Sequence, residues 1–378
     1  MSYILSVVVP TGADSTTLQK ALEALAGSDL PRSFWELIVV DDCAGDSIAA
    51  TAAPFADIVV RLAGRPRGPS YARNRGAEVA TGEILVFIDA DVCVRPDALR
   101  RFAWAFVSEP DVAAVYGSFG PEPESRGLVS RYRDMLDHYI HQRGRGVGDG
   151  FWSDCGAVRR DVFFSVGMFD EWRFRKPQVE AIELGSRLRD GGHRIASRPE
   201  IECRHLKQWT VIDMIKADLA DRGVPRSRLL LKDGPVAPER FTKSPTADVI
   251  ASLAAWIALL AGIFAGSLGD NRLLWVSLGF LGLALVLSWS FLYGFARREG
   301  LLLALASIPL HLLHHLLTGV ALVLGVFLHH SIGDPQPSAT DQAFSEVGVV
   351  KWPPVPRPMN SAPLPATKSP APDRDPAG

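Results

Sequence analysis

Apolar runs of strand length, each closed by polar residues, recur along the first part of the chain. Ile4 to Val9 is closed by Pro10-Thr11-Gly12, Trp35 to Val40 runs into Asp41-Asp42, and Ile84 to Ile88 stops at Asp89-Ala90-Asp91. Helical patterns lie between them. Ser15 to Leu25 sets Leu18, Leu22 and Leu25 on one face, and Pro69 to Ala80 precedes the Asp-x-Asp strand. This alternation predicts βαβ units and a mostly parallel, Rossmann-like α/β sheet. Strands buried on both faces read as continuous apolar runs, and ligands of such sheets bind beyond the strands' carboxyl ends.

Further along, the pattern changes. Residues 249–268, 273–293 and 301–328 form three nearly uncharged stretches, each long enough to cross about 30 Å of hydrocarbon as a helix. Arg222, Arg226, Arg228, Lys232, Arg240 and Lys243 precede the first stretch, and Arg297-Arg298 follows the second. Basic residues gather on the cytoplasmic side of spans, which predicts a multi-pass protein of the cell (inner) membrane with its amino-terminal domain in the cytoplasm. The third stretch contains Pro309, His311, His314 and His315 and is expected as a kinked span or a re-entrant pair. The predicted division is therefore an α/β domain over 1–230, a basic juxtamembrane linker over 231–248, a membrane region over 249–330, and a tail. The tail, 334–378, is rich in Pro, Ala and Ser and is expected to be disordered.

Two further segments carry helical spacing. In 126–145, Tyr132, Met135, Leu136 and Tyr139 recur among arginines and His138 and His141, which suits either a substrate-side helix near the membrane surface or an amphipathic helix packed on the sheet. Trp209, Ile212, Ile215 and Leu219 suggest an interfacial helix. The 378 residues carry a formal net charge of -2, which argues against a dedicated nucleic-acid binder. Cys43, Cys93, Cys155 and Cys203 lack C-x-x-C spacing, so neither a zinc site nor a disulfide framework is expected. No basic segment precedes the first strand, and no cleaved signal is expected.

Asp89 and Asp91 set the chemistry. Two like charges one residue apart at the end of a buried strand call for a positive partner. A hard divalent cation, Mg²⁺ or Mn²⁺, carrying a diphosphate satisfies both oxygen-rich parties.

The motifs as a set resemble family 2 glycosyltransferases of the GT-A fold. They are Ser6 to Thr11, Glu36 to Asp42, Ala72-Arg73-Asn74-Arg75-Gly76, Thr81-Gly82-Glu83 leading to Asp89-Ala90-Asp91, then Gly156 to Phe163, Val166 to Glu171 and Glu183 to Leu188. The resemblance covers roughly residues 1–230. It implies that Pro10, Thr11, Asp41 and Asp42 hold the nucleotide and that Arg73 approaches the donor's phosphates. It also implies that Asp91 contacts the metal, with Asp89 turned toward sugar or ribose and His205 completing the metal or diphosphate site. The implied activity is inverting transfer of a sugar from a nucleoside-diphosphate sugar to a lipid-linked or envelope-glycan acceptor at the membrane lipid.

The chain departs from the family pattern twice. The first loop reads Pro10-Thr11-Gly12-Ala13 where the family has Pro-Thr-Tyr-Asn, and Glu180-Ala181 stands where the family has Glu-Asp, whose aspartate is commonly the general base. Glu180 or Asp154 is then the candidate base, unless the acceptor is already anionic. Two alternatives stay open: a polyprenyl-phosphate glycosyltransferase, and a catalytically silent nucleotide-sugar-binding relative acting as a membrane scaffold.

Overall fold

A computed structural model describes residues 4–12, 14–43, 46–120, 127–143, 146–147, 150–232, 245–333 and 350–351. The predicted alternation is present. It runs β1 (Leu5–Thr11), α1 (Ser15–Ala26), β2 (Trp35–Asp41), α2 (Asp46–Ala52), β3 (Ile58–Arg61), α3 (Pro69–Val79) and β4 (Ile84–Ile88). These four strands pair in parallel in the order β3-β2-β1-β4, with Thr11 opposite Asp41. Side chains alternate between the sheet's faces. Val7, Val9, Leu37 and Val39 pack in one apolar cluster, whereas Val8, Ile38, Val40 and Phe87 pack in the other. Both faces are covered, as uninterrupted apolar strands require.

Beyond β4 the sheet becomes mixed. β5 (Val92–Val94), α4 (Ala98–Ser108), β6 (Val112–Phe119), α5 (Leu128–Arg143), β7 (Gly146–Val147), β8 (Cys155–Arg159), α6 (Arg160–Ser165), α7 (Glu180–Asp190) and β9 (Arg194–His205) complete it. β4 pairs antiparallel with β8, β8 antiparallel with β6, β6 parallel with β9, and β9 antiparallel with β5. This mostly parallel sheet with helices on both faces is GT-A-like, as the motifs imply.

The buried Glu36 carboxylate ties the first strands together. It accepts from Ser6 Oγ at 2.6 Å and from Thr81 N and Oγ1 at 2.6 and 2.8 Å. A buried carboxylate needs such donors, and they account for Thr81-Gly82 directly before β4.

α8 (Val211–Lys216), a π-helical turn over Ala217–Asp221, and α9 (Gly223–Lys232) lead to the apolar helices α10 (Pro245–Leu268), α11 (Asn271–Leu287), α12 (Trp289–Glu299) and α13 (Leu301–Ile332). Two helices, Ala247–Leu268 and Leu301–Ile332, are long and apolar enough to cross a membrane. The other two expected spans are modified. The 273–293 stretch is not one straight helix, because α11 and α12 meet at a 65° bend. The break falls at Ser288, whose Oγ lies 3.2 Å from His315 Nε2. The 301–328 stretch forms one continuous helix that keeps Pro309 inside it, rather than a re-entrant pair.

The three histidines of α13 each join a different element. His311 Nδ1 meets Tyr132 Oη at 3.0 Å, His314 Nδ1 meets Asp218 Oδ2 at 2.7 Å, and His315 Nδ1 meets Ser252 Oγ at 3.1 Å. α5 is the packed helix that one of its two readings expects. It packs on β6, and its Tyr132, Met135 and Leu136 enter an apolar cluster with Met214, Phe291, Phe295 and Ala304.

Most of the basic linker, including Arg240 and Lys243, lies outside the described residues, as does the tail except Val350–Lys351. That pair forms β10, antiparallel to β3 at the sheet edge.

Candidate active site

The carboxyl ends of β1, β2 and β4 converge on one rim. Pro10 and Thr11 end β1, and Asp42 N donates to Thr11 O at 3.2 Å. Asp41 Oδ1 accepts from Cys43 N at 3.0 Å, which shapes the turn after β2. The Asp42 carboxylate is held by the loop before α3: it accepts from Gly68 N at 2.7 Å and from Arg67 N at 3.0 and 3.1 Å. Burial pushes the Asp42 carboxyl up, against the pull of those amides. Gly68 has φ +97°, and a Cβ there would lie 2.0 Å from Arg175 O, so glycine is required.

Arg73 is the buried cation of the site. Its Nη2 donates to Asp89 Oδ1 at 2.7 Å and its Nη1 to Glu180 Oε1 at 3.0 Å. Burial alone would favour the neutral form. Asp89, Glu180 and Asp154 outweigh it and hold Arg73 charged. Glu180 also accepts from Gln178 N at 2.8 Å, so both of its oxygens are engaged. The neighbouring Asn74 donates to Phe169 O at 2.9 Å and to Glu171 Oε2 at 2.7 Å, joining α3 to the turn before α7.

The pairing of β5 with β9 places Val92 opposite His205, and Leu206 N donates to Asp91 O at 2.8 Å. This brings His205 Nε2 to 3.2 Å from Asp91 Oδ2. Burial raises the Asp91 carboxyl, but the hydrogen bond and charge of His205 outweigh it and hold it below the usual range. The imidazole responds in the opposite sense: burial lowers it, and Asp91 with Asp154 raises it overall. Asp154 stands next to Cys155, which pairs with Ile88, and its backbone oxygen accepts from Asp89 N at 3.2 Å. Burial pushes the Asp154 carboxyl up, against the pull of Arg73 and Arg222.

The candidate site residues fall into two sets. Pro10, Thr11, Asp41 and Asp42 lie at the ends of β1 and β2, while Arg73 with Asp89 and Glu180, Asp91 with His205, and Asp154 lie about the end of β4. Asp89 is turned to Arg73, whereas Asp91 faces His205.

Among the described residues no group of three or more His, Cys, Asp or Glu side chains is gathered closely enough to hold a metal by itself. Mg²⁺ and Mn²⁺ are commonly bound by one or two protein groups, with phosphate and water oxygens filling the remaining positions. Asp91 and His205, facing each other at the rim with the Asp91 side chain 38% exposed, fit that donor set.

Sequence reasoning passed over Asp134 on α5, whose carboxyl is pushed up to about 7, chiefly by burial. It also passed over the amides of Arg67 and Gly68, whose only signal is the glycine directly before Pro69, the first residue of α3.

With this geometry, comparison with known proteins gives a consistent picture. Residues 6–166 match the family model described as glycosyl transferase family 2. It is similar to a glucosyl-dolichyl phosphate glucuronosyltransferase of Haloferax volcanii, at 29% identity over 155 residues, 37% of this chain and 48% of the relative. It is also similar to the succinoglycan biosynthesis protein ExoO of Rhizobium meliloti, at 40% identity over 100 residues, 26% of this chain and 28% of that protein. The chain thus spans about half or less of these relatives' lengths. A solved structure of the mannosyltransferase PcManGT from Pyrobaculum calidifontis shares the fold with TM-score 0.52, at 19% identity and covering 88% of each chain.

Proposed function

We propose that this protein is a membrane-anchored inverting glycosyltransferase that moves a sugar from a nucleoside-diphosphate sugar to a lipid-linked or envelope-glycan acceptor. The observation that carries the reading is the pairing of Asp91 with His205, two residues after the Asp89 that Arg73 holds. The relative in Haloferax volcanii is named for action on a dolichyl phosphate-linked sugar, and the PcManGT structure is described in complex with GDP-Man and Mn²⁺.

The residues divide the work. The turns at Thr11 and Asp42 hold the base and ribose, and Asp91 and His205 would hold Mg²⁺ or Mn²⁺. A cation held there would supply positive charge for the departing diphosphate. Arg73 fixes Asp89, which faces the sugar or ribose, and supplies positive charge beneath the donor. Glu180 is spent on Arg73 and Gln178 N, so its role is to position Arg73. Asp154 is the remaining candidate base for an acceptor hydroxyl. The apolar helices anchor the domain in the cell membrane, and the basic residues before α10 put its active face in the cytoplasm, where nucleotide sugars are made.

The test is release of nucleoside diphosphate from a panel of UDP-, GDP- and dTDP-sugars by the detergent-purified full chain. The expected result is release that requires Mn²⁺ or Mg²⁺ and is lost in Asp91→Asn. Donor binding without hydrolysis or transfer, across donors and membrane-extracted lipids, would instead identify a silent relative.

A further inference from the structure

α13 is apolar enough to cross a membrane, yet α5, the π-helical turn and α9 hold it along its length. Ala304 packs in the cluster that contains Tyr132, Met135 and Leu136 of α5. His311 meets Tyr132 at 3.0 Å, and His314 meets Asp218 at 2.7 Å. Further on, a Cβ at Gly223 would stand 2.5 Å from Ala321 Cβ, and one at Gly325 would stand 2.4 Å from Ser227 Cβ. Arg228 Nη2 donates to Gly333 O, directly after the helix ends. These attachments fall at residues 304, 311, 314, 321, 325 and 333, never more than eight residues apart.

A membrane span needs about 20 consecutive residues at bilayer depth. α13 offers no run of that length between its attachments. Carrying it across would take the Asp218–Arg133 pair into hydrocarbon beside it, together with α9 and its Arg226 and Arg228, where charged side chains are costly.

The two sides of α13 differ accordingly. Ala304, Ser307, His311, His315, Ala321 and Gly325 form a buried stripe at helical spacing. On the opposite side Leu302 is 84% exposed, Leu305 53%, Val323 68% and Phe327 63%. A helix with its polar side chains on one side and a bare apolar stripe on the other has the layout of one lying in a membrane surface.

Chain topology leads to the same placement from a separate observation. α10 and α11 form an antiparallel hairpin, with Ser277 Oγ donating to Ala258 O at 2.7 Å. By α12 the chain is back at the α/β domain, where Ser290 meets Tyr139 and Glu299 meets Arg131 on α5. A crossing by α13 would leave everything after Gly333 on the far side of the membrane. β10 instead pairs with β3, Val350 opposite Arg61, at the edge of the domain's own sheet.

We propose that α13 lies in the plane of the membrane surface on the domain's side, with Leu302, Leu305, Val323 and Phe327 against lipid, and that only the α10–α11 hairpin enters the bilayer core. The partner of this face is the interfacial zone of a lipid bilayer, continuous with the apolar surface of the hairpin. The proposal rests on the membrane anchoring in the reading above and is independent of the transfer chemistry. It keeps the residues after Gly333 on the side of the active site.

The experiment uses the full chain in sealed membrane vesicles, first without any substitution. Vesicles are sorted by whether added protease digests the amino-terminal domain, and an antibody to residues 357–378 follows the tail. Loss of the tail together with the domain is the expected result. A tail that stays protected until detergent is added overturns the proposal. A second measurement reads depth directly. Leu305→Cys and Phe327→Cys each carry a nitroxide, whose collisions with lipid-soluble oxygen and with a water-soluble nickel chelate are compared, against the labelled chain lacking the introduced cysteine. The two positions lie about 33 Å apart along the helix. Equal, shallow depths are expected, and a depth difference approaching that separation overturns the proposal. A chain that gives both expected results but transfers no sugar keeps this inference and loses the transferase reading. A chain that does not partition into membranes removes this inference and the anchoring, and leaves sugar transfer to its own assay.

Discussion

His205 Nε2 lies 3.2 Å from Asp91 Oδ2, joining the end of β9 to the turn after β4. The two are far apart in the sequence, and their meeting depends on β9 pairing antiparallel with β5. Replacing His205 by Gln removes the imidazole while keeping a polar side chain. The cation concentration needed for half-maximal donor binding is expected to rise about tenfold or more. A titration of Mn²⁺ against donor-induced thermal stabilisation measures it, and an unshifted curve would remove His205 from the cation site.

Arg73 bridges Asp89 and Glu180 from a buried position, which separates two roles that Glu180 might have had. As a positioning residue, Glu180→Gln is expected to lower kcat less than about tenfold, because the amide still reaches Arg73. A loss above about a hundredfold, with a changed pH profile, would make Glu180 the base after all. Arg73→Ala strands two carboxylates and is expected to cost roughly 3–5 kcal/mol of stability, read from denaturant unfolding.

Gly68 combines a left-handed backbone with close approach to Arg175 O. Gly68→Ala is expected to distort the loop whose amides hold Asp42, at a cost of about 1–3 kcal/mol. Donor affinity is expected to fall with it. Calorimetric binding of the preferred nucleotide checks this, and unchanged affinity would separate the Asp42 loop from nucleotide binding.

Asp218 locks the catalytic domain to the apolar helices, accepting from Arg133 Nη1 on α5 and meeting His314 on α13. Asp218→Ala leaves Arg133 buried without its partner, and a loss of about 3–5 kcal/mol is expected. Burial raises the Asp218 carboxyl, but His314 and Arg133 outweigh it and hold it below the ordinary 3.8. The folded value is thus below the unfolded one. The contribution is present above the unfolded value and is lost as pH falls through the folded one. Between about pH 5 and about pH 3 the wild type is therefore expected to lose more thermal stability than Asp218→Asn, and parallel curves would contradict the lock.

Much of the rim was legible because it is local in sequence. Uninterrupted apolar strands identify β1, β2 and β4, and each ends in the polar residues that form the site. Arg73 was legible as a member of a motif, but its grip on both Asp89 and Glu180 was not, since nothing in the spacing of α3 and α7 tells which side chains meet. The same holds for α5. Its apolar spacing predicted a helix, while its joint packing on β6 and on Phe291, Phe295 and Ala304 comes from tertiary contact alone. Hydropathy located the apolar helices yet missed the bend at Ser288, because serine is compatible with a continuous helix. The break accompanies a side-chain contact to His315 across the bundle.

The central claim is that Asp91, at the carboxyl end of the fourth strand, takes part in holding a divalent cation that binds the donor diphosphate. The most direct measurement is Mn²⁺-dependent binding of the nucleoside diphosphate by calorimetry, on wild type and on Asp91→Asn. The account predicts binding by the wild type only when Mn²⁺ is present, and none detectable in the variant. Equal nucleotide binding by both proteins, with or without Mn²⁺, would contradict it.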